Sequence, residues 1–292
     1  MTDNRLKGLG TALITPFDKE GKVDYKALDS LLEIQIDGRV DYIVVLGTTG
    51  EAVTLTPDEH RAVRTHIAGK IAGRIPLVLG LGGNNTAEVL QRIRDWSEEL
   101  KRDYAAILSV CPYYNKPTQE GLFRHFDAIA KASPVPVILY NVPGRTGVNL
   151  QPETVMRIYN ANPHNICGVK EASGNVEQIK HLIELSSQTG LMVISGDDGI
   201  ACELMQAGAA GLISVASNAF PKEFGAIVRE KNEALQKLFD ETVRLLFKDG
   251  NPAGIKTVLA QKGLIENKLR LPLVPCSEEV QHALAQILKQ GK

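Results

Sequence analysis

Ile166-Cys167-Gly168-Val169-Lys170-Glu171-Ala172-Ser173-Gly174-Asn175 is an apolar run, a lysine, and a Gly/Ser/Asn turn that opens onto a helical pattern. The run from Ile166 to Val169 predicts a short strand buried on both faces, as parallel strands between helix layers are. Lysine is rarely buried without a partner. At the end of such a strand it has two outcomes. It snorkels to solvent along its methylene stem, or it stays in a site that disfavours an ammonium and keeps an amine able to form a Schiff base with a carbonyl compound. The stretch alone leaves both open.

Short apolar segments and longer helical ones alternate on either side of it. Upstream, the pattern predicts strands at 10–15, 42–46, 76–81, 105–110 and 137–140, with helices at 25–36, 56–72, 86–100, 118–132 and 152–160. Leu28, Leu31, Leu32 and Ile36 recur near the 3.6-residue period. Thr56-Pro57-Asp58-Glu59 reads as a helix start, with threonine as cap, proline in the first helical position and acids in the first turn. Downstream come helix 176–188, strand 192–195, helix 200–207 and strand 211–215. Eight strands alternating with eight helices over roughly 225 residues fit a (β/α)8 TIM barrel, typically ~250 residues long. Periodicity alone also allows an open, doubly wound sheet. After Pro221 the pattern is helical only, at 224–246, 252–261 and 278–288. We read a barrel over 1–220 and a C-terminal helical region over 221–292 packed on it, since no linker, repeat or low-complexity segment separates them.

Composition excludes several classes. Hydrophobic residues make up 43% of the 292 and charged residues 23%, with net charge −1, the balance of an ordinary globular protein. No long basic run marks a nucleic-acid binder. No apolar run approaches the ~20 residues of a membrane span, and the N-terminus has no signal-peptide core, which points to the cytoplasm. Cys111, Cys167, Cys202 and Cys276 have no paired spacing, and the six histidines form no ligand pattern. We expect no metal and no nucleotide cofactor.

In a barrel, catalytic groups stand on the loops after the strands. The loop after the second strand is Gly47-Thr48-Thr49-Gly50-Glu51. Its hydroxyls and exposed N–H groups suit a small carboxylate, or it is a glycine-rich turn with Glu51 capping a helix. After the fourth strand comes Pro112-Tyr113-Tyr114-Asn115-Lys116-Pro117, and after the fifth Tyr140-Asn141-Val142-Pro143-Gly144-Arg145-Thr146-Gly147. Tyr140 can relay a proton, and Arg145 can hold a carboxylate in a bidentate fork. Lysine, tyrosine, threonine and arginine at one barrel mouth supply nucleophile, proton relay and anion clamp together.

Gly47 to Glu51, Tyr113 to Pro117, Tyr140 to Gly147 and Gly168 to Ala172 resemble, in order and spacing over essentially the whole chain, the signatures of the 4-hydroxy-tetrahydrodipicolinate synthase (dihydrodipicolinate synthase) family. The wider superfamily includes N-acetylneuraminate lyase and keto-deoxy sugar acid lyases. The run carrying Arg145 favours the synthase over these, because a long polyol substrate needs room where Arg145 stands. A non-catalytic pyruvate-binding protein on the same fold would not need the tyrosines and threonines of a relay.

The resemblance implies a lyase that condenses pyruvate with aspartate 4-semialdehyde, the committed step of diaminopimelate and lysine biosynthesis, with no cofactor beyond the covalent Schiff base on Lys170. It implies Tyr140 as proton donor and acceptor, Thr49 and Tyr114 as its relay, and Thr48 in support. Tyr114 would come from the neighbouring subunit of a tight dimer, itself within a tetramer. Arg145 would bind the semialdehyde carboxylate, and Thr49, Gly196 and Ile213 would line the pyruvate site. Tyr113, Asn84, Glu88 and His60 match positions of a lysine-inhibition site, while Ala52, Val53 and Pro57 depart from the enterobacterial form of it.

Overall fold

The computed structural model describes residues 4–289. Eight parallel strands pair in chain order and close on themselves through β8 and β1. They are β1 (Gly8–Ala12), β2 (Tyr42–Val45), β3 (Leu77–Gly80), β4 (Ala106–Val110), β5 (Val137–Asn141), β6 (Ile166–Glu171), β7 (Met192–Ser195) and β8 (Gly211–Ser214). Around them lie α1 (Tyr25–Asp37), α2 (Pro57–Ile71), α3 (Thr86–Asp95), α4 (Ser97–Asp103), α5 (Gln119–Ala132), α6 (Pro143–Thr146), α7 (Pro152–Ala161), α8 (Val176–Ser186) and α9 (Ala201–Gln206). The C-terminal part forms α10 (Pro221–Glu230), α11 (Glu233–Lys248), α12 (Ala253–Gln261) and α13 (Glu278–Lys289). This is the TIM barrel, and the closed strand order excludes the open sheet. No described helix is long and apolar enough to cross a membrane.

Strand alternation divides the core in two. Leu9, Ile43, Val45, Leu79, Leu139 and Val169 pack outward against the helices. Val44, Val78, Leu108, Ile138, Ile194 and Ile213 fill the barrel. In β6 this alternation is broken once. Val137 pairs with Ile166, but Ile138 pairs with Gly168, so Cys167 is an extra residue in the ladder. Cys167 belongs to the inner cluster and Val169 to the outer one, an even spacing that puts them on opposite faces. Such a bulge re-aims the side chains after it, and here it turns Lys170 inward.

Helix starts follow local chemistry. Thr56 Oγ1 accepts from Glu59 N, and Glu59 Oε2 accepts from Thr56 N, a reciprocal cap on α2 with Pro57 in its first position. Three predicted segments need correction. The helix expected over 86–100 is two, because Trp96 leaves helical dihedrals, and its ring stacks on His60 beneath the Arg64 guanidinium. The helix expected over 224–246 divides at Lys231, in the left-handed region at φ 52°, and Asn232, whose side chain caps α11 by accepting from Leu235 N. The first strand ends at Ala12 rather than 15. Beyond it Ile14 N donates to Asn218 Oδ1 and Thr15 Oγ1 to Gly50 O, which draws the chain off the ladder. Helix α10 packs on β1 and β8, and α11, α12 and α13 pack on one another.

Candidate active site

The ends of β5, β6 and β7 meet around Lys170. It pairs in register with Tyr140 on one side and Ile194 on the other. Its side chain is 6% exposed, and its Nζ lies 4.4 Å from the centroid of the Tyr140 ring. Gly196 follows β7, and its N–H donates to Glu171 O at 2.8 Å. A methyl group there would stand 2.9 Å from Lys170 Cε and 2.6 Å from Ala172 Cβ, so only glycine leaves room for the lysine stem. Ile213 lies in the inner cluster with Tyr140.

The residues next to Tyr140 and Lys170 point the other way and lock the strand ends from behind. The Glu171 carboxylate accepts from Asn141 Nδ2 at 3.0 Å, Ser173 N at 2.8 Å and Gln178 Nε2 at 3.2 Å. Asn141 Nδ2 also donates to Asn149 Oδ1 at 2.7 Å. Burial pushes the Glu171 carboxyl above its ordinary range, and these hydrogen bonds oppose that shift.

The loop after β2 is held from the C-terminal region. Thr49, 3% exposed, accepts from Asn251 Nδ2 at 2.9 Å. Glu51 sits in the left-handed region at φ 51°, and its carboxylate lies 2.5 Å from Lys256 Nζ, with both side chains fully buried. Burial lowers the Lys256 ammonium to about 8, against the attraction of Glu51. Glu51 Oε2 also accepts from Arg270 N at 3.1 Å. Asn251, Lys256 and Arg270 were not singled out from sequence. Lys256 had a legible signal, being the one charge in the otherwise uncharged and mostly apolar run from Ala253 to Leu259.

A cavity of about 640 Å³ opens at this mouth, lined by Thr48, Tyr140 and Arg145 and extending to His60, Glu88 and Tyr113. Arg145 rides on α6, and its Nη2 donates to Asn251 O at 3.3 Å. Asn84 Nδ2 donates to Tyr113 O at 3.1 Å. His60 is lowered to about 4 by burial and by the nearby Arg64 and Arg92 cations, so its ring is neutral at pH 7. Beyond β7, burial raises Asp198 to about 6 while its carboxylate accepts from Val215 N and Ala216 N, tying the last two mouth loops together. Tyr114 is not part of this gathering. It is 89% exposed, at φ 74°, and its side chain faces solvent. Among the described residues no hydrogen bond joins Thr49 to Tyr140.

A buried lysine against a tyrosine ring, with an arginine at the rim, is a site that many barrels could build, so relatives narrow the choice. The model of the dihydrodipicolinate synthetase family matches residues 5–291. A 4-hydroxy-tetrahydrodipicolinate synthase from Parabacteroides distasonis is 48% identical, over 99% of this chain and 98% of its own. A dihydrodipicolinate synthase from Acinetobacter baumannii, solved in complex with pyruvate, superposes with TM-score 0.91 at 41% identity over 97% of this chain and 98% of the other. One from Cyanidioschyzon merolae, solved with lysine bound, has TM-score 0.91 at 33% identity, covering 98% of each chain. The closed barrel and the near-complete coverage agree, and the chain belongs to the dihydrodipicolinate synthetase family.

Proposed function

We propose that this protein is a lyase that condenses pyruvate with L-aspartate 4-semialdehyde to give 4-hydroxy-tetrahydrodipicolinate, the committed step towards diaminopimelate and lysine. The observation that carries this reading is the Lys170 side chain, buried at the end of β6 with its amine against the Tyr140 ring. The Lys170 amine adds to the pyruvate ketone, and loss of water leaves an iminium. That cation is an electron sink, so a methyl proton leaves to form an enamine. The enamine carbon attacks the aldehyde, and the semialdehyde amine then displaces Lys170 and closes the ring. The reactivity comes from the lysine itself, and the scheme calls for no cofactor.

Each step moves a proton and needs a positioned relay. Tyr140 is the donor and acceptor in this scheme, Thr49 its neighbour in the relay, and Thr48 the support. Tyr114 of the partner subunit completes the relay, a role supported by its exposure in the single chain. Arg145 at the rim takes the semialdehyde carboxylate, while Thr49, Gly196 and Ile213 bound the pyruvate site. In the same cavity, Tyr113, Glu88 and His60, with Asn84 bonded to the Tyr113 carbonyl, form the proposed site for lysine as inhibitor. A neutral His60 adds no charge against the ligand's ammonium, which Glu88 faces. An assay with pyruvate and either aspartate semialdehyde or N-acetylmannosamine tests the reading. Turnover with the semialdehyde alone is expected, and turnover with the amino sugar alone would transfer the protein to the sugar-acid lyases.

A further inference from the structure

Two pairs of residues stand side by side where β5 meets β6. Tyr140 is in register with Lys170, and Asn141 with Glu171. Asn141 and Glu171 are fully buried. The Glu171 carboxylate is met by uncharged donors. Its Oε1 accepts from Ser173 N in the turn after β6, and its Oε2 from Asn141 Nδ2 and from Gln178 Nε2 in the first turn of α8. Among the described residues no ion pair reaches it. Backbone groups fix the polarity of this network. Leu150 N donates to Asn141 Oδ1 at 2.9 Å, so the Asn141 amide must present its Nδ2 to Glu171. Ser173 N can only donate. Both carboxylate oxygens therefore face donors, and neither leaves room for a carboxyl proton.

A buried anion without a cation costs stability, and apolar residues of similar volume would fill the space at less cost. Exceptions of this kind gather at functional sites. The donors stand on β5, on the turn after β6 and on α8, and Asn149 joins them from the segment after α6 through Asn141 and Gln178. We propose that Glu171 is a positioning residue for the Schiff-base lysine. Its carboxylate, bound to Asn141, ties the two strand ends together on the outer face and so keeps the Lys170 amine at the Tyr140 ring on the inner one. This rests on the Schiff-base reading above. In the step concerned, the amine lone pair makes the C–N bond to pyruvate as the carbonyl π pair moves to oxygen. Two protons, one from the nitrogen and one from solvent, carry that oxygen off as water, and an iminium remains.

The test separates geometry from stability. Imine formed with saturating pyruvate is fixed by borohydride at set times, and denaturant titration measures the fold. Glu171→Gln keeps the shape but sets an NH2 group against Asn141 Nδ2, which cannot turn over without giving up Leu150 N. It should stay folded and form imine roughly 10-fold more slowly, within the ~100-fold that a misplacement of about 1 Å can cost. Adding Asn141→Asp reverses donor and acceptor in the pair, keeps the charge and still accepts from Leu150 N, while the Asn149 and Gln178 amides turn over together to suit. The double variant should recover to within about 3-fold of the wild type, the non-additivity expected of two groups in one network. A brace that only holds the fold together predicts a less stable Glu171→Gln that forms imine at the wild-type rate. That rate in Glu171→Gln, or a double variant as slow as the single one, overturns the inference and leaves the function standing. No imine in the wild type overturns both. If Glu171→Gln does not fold, the double variant decides alone, recovery supporting the inference and slower formation refuting it.

Discussion

Lys170 meets three conditions at once: the end of a strand, near-complete burial, and the face of a tyrosine ring. Gly196 makes the second possible. Gly196→Ala puts a methyl group against Lys170 Cε, and overpacking of that kind costs about 1–3 kcal/mol. The methyl group also meets Ala172 Cβ at 2.6 Å, so the strand ends must shift, and imine trapping with pyruvate should slow at least ~10-fold, the equivalent of ~1.4 kcal/mol. Trapping at the wild-type rate would show that the lysine stem does not need that space. Arg145 acts on the other substrate. Arg145→Ala should weaken transition-state binding of the semialdehyde by ~2–5 kcal/mol, measured as kcat/KM, with imine formation from pyruvate unchanged. Lys170, Tyr140, Thr49 and Arg145 were legible because they stand at the ends of strands or in the short loops directly after them. Asn251 was not. Its two partners lie far away in sequence, and a tertiary hydrogen bond leaves no local pattern.

At the scale of elements, the loop after β2 is a short turn held in place by a distant helix. The Glu51–Lys256 pair is fully buried, so removing one partner strands the other charge in a low-dielectric site. Lys256→Met should destabilise the protein by ~3–5 kcal/mol in denaturant titration. The double replacement Glu51→Gln with Lys256→Met should regain much of that, because it leaves no unpaired charge. Equal loss in single and double variants would mean that packing, rather than charge, sets the cost. The cap on α2 was readable because all its parts lie within four residues. The breaks at Trp96 and Lys231 were not, since helical periodicity continues across both. The bulge at Cys167 escaped too, although a glycine inside a strand is a known sign of one. It matters more than the others, because simple alternation through β6 would place Lys170 on the face opposite Cys167, outside the barrel.

For the molecule as a whole, alternation of strands and helices pointed to a barrel but did not by itself exclude an open sheet. The choice rests on β8 pairing with β1, a contact between the ends of the pattern that periodicity does not encode. The mouth side also carries large exposed apolar side chains, among them Val53, Tyr114 and Leu271. Arg270, just before Leu271, donates to Thr54 O and so sets that segment beside the turn of Val53. Exposed apolar surface of this kind marks an interaction site, and the shared-site reading fills it with a second copy that lends Tyr114. Mixing the inactive variants Tyr114→Phe and Lys170→Ala, with subunit exchange verified, should then restore partial activity, since a mixed dimer holds one complete site. Activity at the level of the separate variants would place Tyr114 in its own chain's site or outside catalysis.

On the Schiff-base reading, Lys170 forms the covalent imine with pyruvate. Incubation with pyruvate and borohydride, followed by peptide mass analysis, tests it directly. A reduced pyruvyl adduct is expected on the peptide containing Lys170 and none in Lys170→Ala. An adduct on another lysine, or undiminished labelling of Lys170→Ala, would contradict it.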